Sequence, residues 1–163
     1  MGVGISTQPR SNALCNAGIA PVADMLKNGI KVGLGTDNGE GNFYENMRYL
    51  VLMQMGKNYS KHALTPLQGF QIATEGGAFG LGYTDVGCLK TAIINGNAAI
   101  QLTEKNVVAE VFWRKDPKDI KKAYVNGNLI CQDGHSVNLD DERIRKDFSE
   151  CVREFWKGQP YQD

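Results

Sequence analysis

The chain has 163 residues, 42% of them hydrophobic, which is enough for one ordinary folded domain with a real core. Eighteen basic residues balance eighteen acidic ones, and no stretch interleaves Lys and Arg with aromatics, which argues against nucleic acid as a partner. No apolar run approaches the roughly 18 residues of a membrane span, and no basic-then-apolar leader opens the chain; no membrane partner is expected, and the expected setting is cytoplasmic.

Residues 2–7, Gly-Val-Gly-Ile-Ser-Thr, read as a short buried strand ended by Gln8-Pro9, because proline removes a donor and restrains the residue before it. A loop is expected over Pro9-Arg10-Ser11-Asn12. A helix follows from about Gly18, with Pro21 in its first turn, Val22, Met25 and Leu26 on the apolar face, and Asn28-Gly29 as the stop. Residues 30–37 then form a strand whose last residue is the acid Asp37, and Asn38 to Asn42 form a flexible loop. Phe43, Met47, Leu50, Val51 and Met55 recur at helical spacing until Gly56. Strand, helix and strand with short joins is the unit of a parallel α/β sheet.

Thr65 as cap and Pro66 in the first turn open another helix, with Leu67, Phe70, Ile72 and Ala73 mostly inward. The small residues that follow, Thr74 to Ala78, let backbones approach closely. Beyond Asp85 the pattern predicts strands at 98–102 and 107–113. A hairpin of 123–125 with 129–131 is then predicted around Asn126-Gly127, the strongest short hairpin signal. Residues 140–157 predict an amphipathic helix with Ile144, Phe148, Cys151, Val152 and Phe155 on one face.

In parallel α/β structures the functional groups gather at the carboxyl ends of strands, and Asp37 holds such a place. A carboxylate there can ligate a divalent ion, accept a proton from its bound water and pass that proton to a leaving group. Aspartate is also a favoured cap for a following helix, and the residues by themselves leave both roles open. Gly33, Gly35, Gly39 and Gly41 fit neither a dinucleotide loop nor a nucleotide-triphosphate loop, so close packing and a mobile loop explain them better. His62 and His135, the only histidines, sit in polar connectors without a second ligand at usable spacing. Cys15, Cys88, Cys131 and Cys151 are too far apart for a zinc knuckle or redox dithiol and read as reduced, mostly structural thiols. Met47, Met53 and Met55 read as packing residues.

Several segments in this order, Pro9-Arg10-Ser11-Asn12, Gly18 to Val22, Val32 to Asp37, Leu64-Thr65-Pro66, Ala73 to Ala78 with Leu81-Gly82, Val86 to Leu89, and Val125-Asn126-Gly127, resemble the C-terminal part of the amidohydrolase superfamily. The similar branch contains guanine, cytosine-type and S-adenosylhomocysteine or methylthioadenosine deaminases and triazine chlorohydrolases. The resemblance implies an α/β fold: a partial (β/α)8 barrel, with residues 1–7 as strand seven and 32–37 as strand eight, within 1–84. A small β-sandwich portion over 85–139 and a C-terminal helix and tail over 140–163 follow. It implies that Asp37 is a metal ligand or proton shuttle for a divalent ion, zinc or iron. It places the loop containing Arg10, Ser11 and Asn12 near the pocket mouth, and Asn12 and Asn38 are further candidates for contact with a small-molecule substrate.

The family's other metal ligands, a His-x-His on strand one and single histidines on strands five and six, would lie before Met1. The isolated chain is therefore expected to bind no metal stably and to be inactive or nearly so. The competing expectation is a non-catalytic remnant or interaction module that pairs with a separate N-terminal half or self-associates through exposed sheet edges. At Gly96-Asn97-Ala98-Ala99, preceded by extra residues from Thr91 to Asn95, the sequence departs from the family's usual Gly-Lys-x-Ala-Asp.

Overall fold

The structure, a computed structural model, describes residues 3–38, 41–83, 92–94 and 101–157, and they fall into two compact units. The first unit lies within residues 1–90 and 96–119, and the second within 91–95 and 120–163.

In the first unit β1 (Gly4–Thr7) and β2 (Lys31–Leu34) pair in parallel, with Gly4 opposite Lys31 and Thr7 opposite Leu34. The crossover between them carries α1 (Pro9–Leu14) and α2 (Val22–Lys27). The loop expected at residues 9–12 is thus a helix. Proline lacks the N–H that a first helical turn leaves unpaired anyway, and its fixed φ suits that turn, so Pro9 starts α1 where it ends β1. The expectation of a buried first strand also needs correcting: Val3 and Ile5 are exposed and only Thr7 is buried, since β1 has a neighbour on one edge alone among the described residues. β2 is buried at Val32, Gly33 and Leu34, but it stops three residues short of Asp37.

The 15-residue α3 (Phe43–Lys57) begins at Asn42, whose side chain accepts from the Glu45 N–H. Helix α4 (Pro66–Gln71) begins with a capping box, Thr65 accepting from the Gln68 N–H and Gln68 reaching back to the Thr65 N–H. It continues through a π turn (Ile72–Gly76) into α5 (Gly77–Gly80). Of the residues expected inward, Ile72 is buried, whereas Leu67 is exposed.

The expected close approach of the small-residue run is observed. A Cβ on Gly33 would stand 3.0 Å from the Gly77 Cα, one on Gly4 would stand 2.7 Å from the Gly80 Cα, and one on Gly76 would collide with the Val32 carbonyl. These glycines let the π turn and α5 lie directly on the two strands.

Residues 107–113, expected as a strand, form α6 (Val107–Arg114). Val107, Val108, Val111 and Phe112 suit one face of a helix as well as β-branched residues suit a strand, and burial decides between them. Phe112 is wholly buried, edge-on to Phe70 at 5.5 Å, with its ring where a Cβ on Gly69 would be. The carbonyls at the end of α6 are taken up by Arg48 of α3: Nε donates to Phe112 O at 2.8 Å, Nη2 donates to Lys115 O, and Nη1 pairs with Asp116 at 2.8 Å. The core of the unit is Val22, Val32, Leu34, Met47, Leu50, Val51, Leu64, Ile72 and Phe112, and Met55 packs against it.

The second unit contains an antiparallel sheet ordered β3 (Ala92–Ile94), β4 (Ile120–Val125), β5 (Asn128–Gln132), β6 (His135–Ser136). Asn126 and Gly127 both have positive φ, 50° and 81°, as the tight turn between β4 and β5 requires. Helix α7 (Asp141–Trp156) is capped by Asp140, which accepts from the Arg143 N–H, and it is tied to the sheet where Ser136 N donates to Asp141 at 2.9 Å. Its expected apolar face is present but open, with Ile144, Phe148, Val152 and Phe155 all exposed. The described residues of this unit show one sheet. Residues 98–100 of the other expected strand, and the sequence departure at 96–99, lie outside the described residues; Gln101 and Leu102 are not in a strand, and part of the extra segment forms β3. No helix among the described residues is long and apolar enough to cross a membrane.

Candidate functional site

The first unit ends its two parallel strands side by side. Gly35 N donates to Thr7 O at 2.9 Å, so the chain leaving β2 is held against the chain leaving β1 before either turns away. From there β1 runs into α1 and β2 runs on through Thr36 to Asp37. Asp37 takes φ +52°, in the left-handed region that aspartate tolerates better than most residues. That bend places its side chain in the open, beyond the carboxyl end of β2.

The carboxylate is not a helix cap. Asn42 performs that task for α3, and the Asp37 Oδ2 instead accepts a 2.7 Å hydrogen bond from the Ser11 hydroxyl. Ser11 lies on α1 and is buried, so the bond comes from the interior side of the site. Among the described residues Oδ1 meets no hydrogen-bond donor. Beside Ser11, Arg10 faces Glu45 of α3 at 3.7 Å, which brings the start of α3 to the same region.

Of the other candidates, Asn12 follows Ser11 on α1, half-buried, and lines a void of about 10 Å³ with Thr7, Ile19 and Leu50. Asn38 is exposed in the turn after Asp37. The structure thus brings Ser11, expected only as part of the segment near the pocket mouth, into direct contact with Asp37. The signal was Pro9: once it starts a helix, Ser11 falls in the first turn, above the strand ends.

His62 and His135 are exposed, as expected, and His135 lies in the second unit, 3.6 Å from Asp141. Cys15 and Cys151 are also exposed and Cys131 is half-buried; they fall at a helix end, an open helix face and a sheet surface. Cys88 lies outside the described residues. A groove of about 580 Å³ is lined by residues that include Leu26, Lys31, Val32, Ile72 and Phe79. It lies at the start of β2, the end away from Asp37, and so is not a pocket for the acid.

One exposed carboxylate oxygen at a strand end suits a single position in the coordination shell of a divalent ion. It cannot be the whole shell, and among the described residues no group of three or more His, Cys, Asp or Glu side chains is placed to hold a metal.

Residues 1–130 match the Amidohydrolase family. The chain is 32% identical to the 5-methylthioadenosine/S-adenosylhomocysteine deaminase of Shouchella clausii over 159 residues, covering 91% of this chain and 37% of that protein. It is 28% identical to the 5'-deoxyadenosine deaminase of Methanosarcina barkeri, covering 94% and 38%. Among solved structures, an adenosine deaminase from Xanthomonas campestris with bound zinc superposes with a TM-score of 0.83 at 15% identity, over 93% of this chain and 37% of that one. Atrazine chlorohydrolase from Arthrobacter aurescens, complexed with zinc, superposes with a TM-score of 0.77 at 21% identity, over 93% and 36%. The chain therefore spans little more than a third of the length of the curated relatives it matches.

Proposed function

The chain belongs to the amidohydrolase family, and from that premise we propose that it supplies the C-terminal part of a metal-dependent deaminase. In this reading β1 and β2 are strands seven and eight of a (β/α)8 barrel, and the second unit is a portion of a small β-sandwich with the C-terminal helix. A preceding segment, joined or separate, brings the remaining metal ligands; together they make the complete enzyme.

The observation that carries the reading is the placement of Asp37: a carboxylate presented in the open just past a parallel strand, relieved of capping duty by Asn42. Asp37 would hold one side of a divalent ion, zinc or iron, which would supply a water acidic enough to attack at neutral pH. Asp37 occupies one ligand position, takes the proton of the attacking water and delivers it to the departing nitrogen. Asn12 and Asn38, each one residue after a member of the Ser11–Asp37 pair, contact the substrate. The bond broken is C–N at an electron-poor ring carbon, with C–Cl cleavage the variant that the chlorohydrolase likeness suggests. The deaminase relatives favour an adenine ring carrying a 5′-modified ribose.

The test is ammonia release by the complete, zinc-loaded enzyme from 5-methylthioadenosine, S-adenosylhomocysteine and 5'-deoxyadenosine, with chloride release from atrazine measured in parallel. Turnover of at least one is expected. Failure on every one of them by a folded, metal-loaded enzyme would overturn the reading.

A further inference from the structure

The Ser11–Asp37 contact joins residues 26 positions apart, one buried and one exposed. At 2.7 Å the hydroxyl donating to a carboxylate is a strong, charge-assisted bond. Its donor has little freedom: Ser11 is 5% exposed and fixed in α1, where Cys15 N donates to Ser11 O at 2.9 Å. The acceptor would otherwise be loose. Asp37 is an exposed side chain on a left-handed turn, free to rotate about two bonds.

A serine beside a carboxylate also raises the question of nucleophilic chemistry. That role needs a hydroxyl that a substrate can reach, and Ser11 is buried on α1. The hydroxyl donates to the carboxylate from the buried side, and what the bond controls is the orientation of the acid.

We propose that Ser11 is the positioning residue for Asp37: by holding Oδ2 from the buried side, it leaves Oδ1 as the single oxygen presented at the strand-end opening, in one orientation. The proposal rests on the reading of Asp37 as a metal ligand. An outer partner of this kind typically governs metal affinity by about tenfold to a hundredfold, because the ligand must otherwise be ordered at the moment of binding. Threonine carries the same hydroxyl and can replace serine in this role; alanine cannot.

The test is zinc retention by the complete enzyme against a chromogenic chelator, with melting temperature recorded for each variant. Ser11→Ala is expected to lose zinc about tenfold to a hundredfold more readily while melting close to the parent, and Ser11→Thr to return retention to within a few-fold of wild type. Wild-type retention in Ser11→Ala overturns the proposal. So does a large fall in melting temperature in Ser11→Ala, or a Ser11→Thr that melts normally yet fails to restore retention, since either marks a merely structural serine. Asp37→Asn separates the two levels. If it weakens retention while Ser11→Ala does not, only the Ser11 role fails; if neither substitution changes retention, the metal-ligand reading of Asp37 fails with it.

Discussion

Arg48 satisfies two carbonyls at the end of α6 and one carboxylate with a single planar fork, a pattern that lysine cannot copy. Arg48→Ala leaves those acceptors without their charged donor and is expected to cost about 2 kcal/mol. Arg48→Lys should recover only part of this. Urea unfolding midpoints measure both, and an unchanged midpoint in Arg48→Ala would contradict the clamp. Glycine offers a sharper contrast. A methyl on Gly76 meets the Val32 carbonyl, which is backbone and cannot swing aside, so Gly76→Ala should destabilise toward the upper end of the roughly 1–3 kcal/mol that overpacking costs. Gly56, in the last turn of α3 with open space around it, should instead gain about 0.5 kcal/mol on replacement by alanine. Equal effects at the two positions, read from thermal melts, would contradict the close helix-on-strand packing. At this scale the strand-end place of Asp37 was legible and its hydrogen-bond partner was not. The spacing of Asn42 to Glu45 is a capping signature visible in the sequence, and it removes Asp37 from capping duty. The Ser11 bond was not legible, because it depends on where a helix places one hydroxyl relative to a chain segment 26 residues away.

At the scale of elements, local chemistry predicted what local chemistry fixes. The Thr65-Pro66 helix start, the Asn126-Gly127 turn and the capped α7 all appear where the residues that make them stand. Helix α6 escaped prediction because its β-branched residues favour a strand locally, while the Phe70–Phe112 contact and the Arg48 clamp that make it a helix come from distant parts of the chain. Tyr44 closes the same aromatic group, edge-on to Phe70 at 6.5 Å. Burial raises its phenol above the ordinary value of 10.0, against the opposing pull of the Arg48 guanidinium and with smaller raising contributions from Asp119 and Asp116. The folded state therefore holds this proton more tightly than the unfolded chain does. The corresponding stability is fully present below pH about 10 and is lost as pH rises through the higher folded value. Stability should thus fall more steeply in the parent than in Tyr44→Phe between about pH 9 and 11, and coincident pH profiles would contradict the buried position of the ring.

At the scale of the molecule, β1 and β2 form a sheet of two, and each has one edge without a strand among the described residues. Such edges favour pairing with other chains. The isolated chain, 17.9 kDa, is expected to scatter light as a species larger than one copy and to release no ammonia when zinc is added, because a single carboxylate oxygen cannot hold a catalytic ion against water. A monodisperse monomer would contradict the pairing, and turnover by the purified chain would contradict the need for further ligands. The parallel α/β beginning was readable from its strand–helix–strand periods. The strand order of the second unit was not, because β3 comes from a segment with no strong pattern of its own. The chemistry proposed for the complete enzyme turns on one acid, Asp37. Replacing it in the complete enzyme, Asp37→Asn, changes the carboxylate to an amide of the same shape. Turnover should fall by about 10²- to 10⁴-fold with the melting temperature nearly unchanged; turnover within a few-fold of the parent would contradict the assignment of Asp37 to the chemistry.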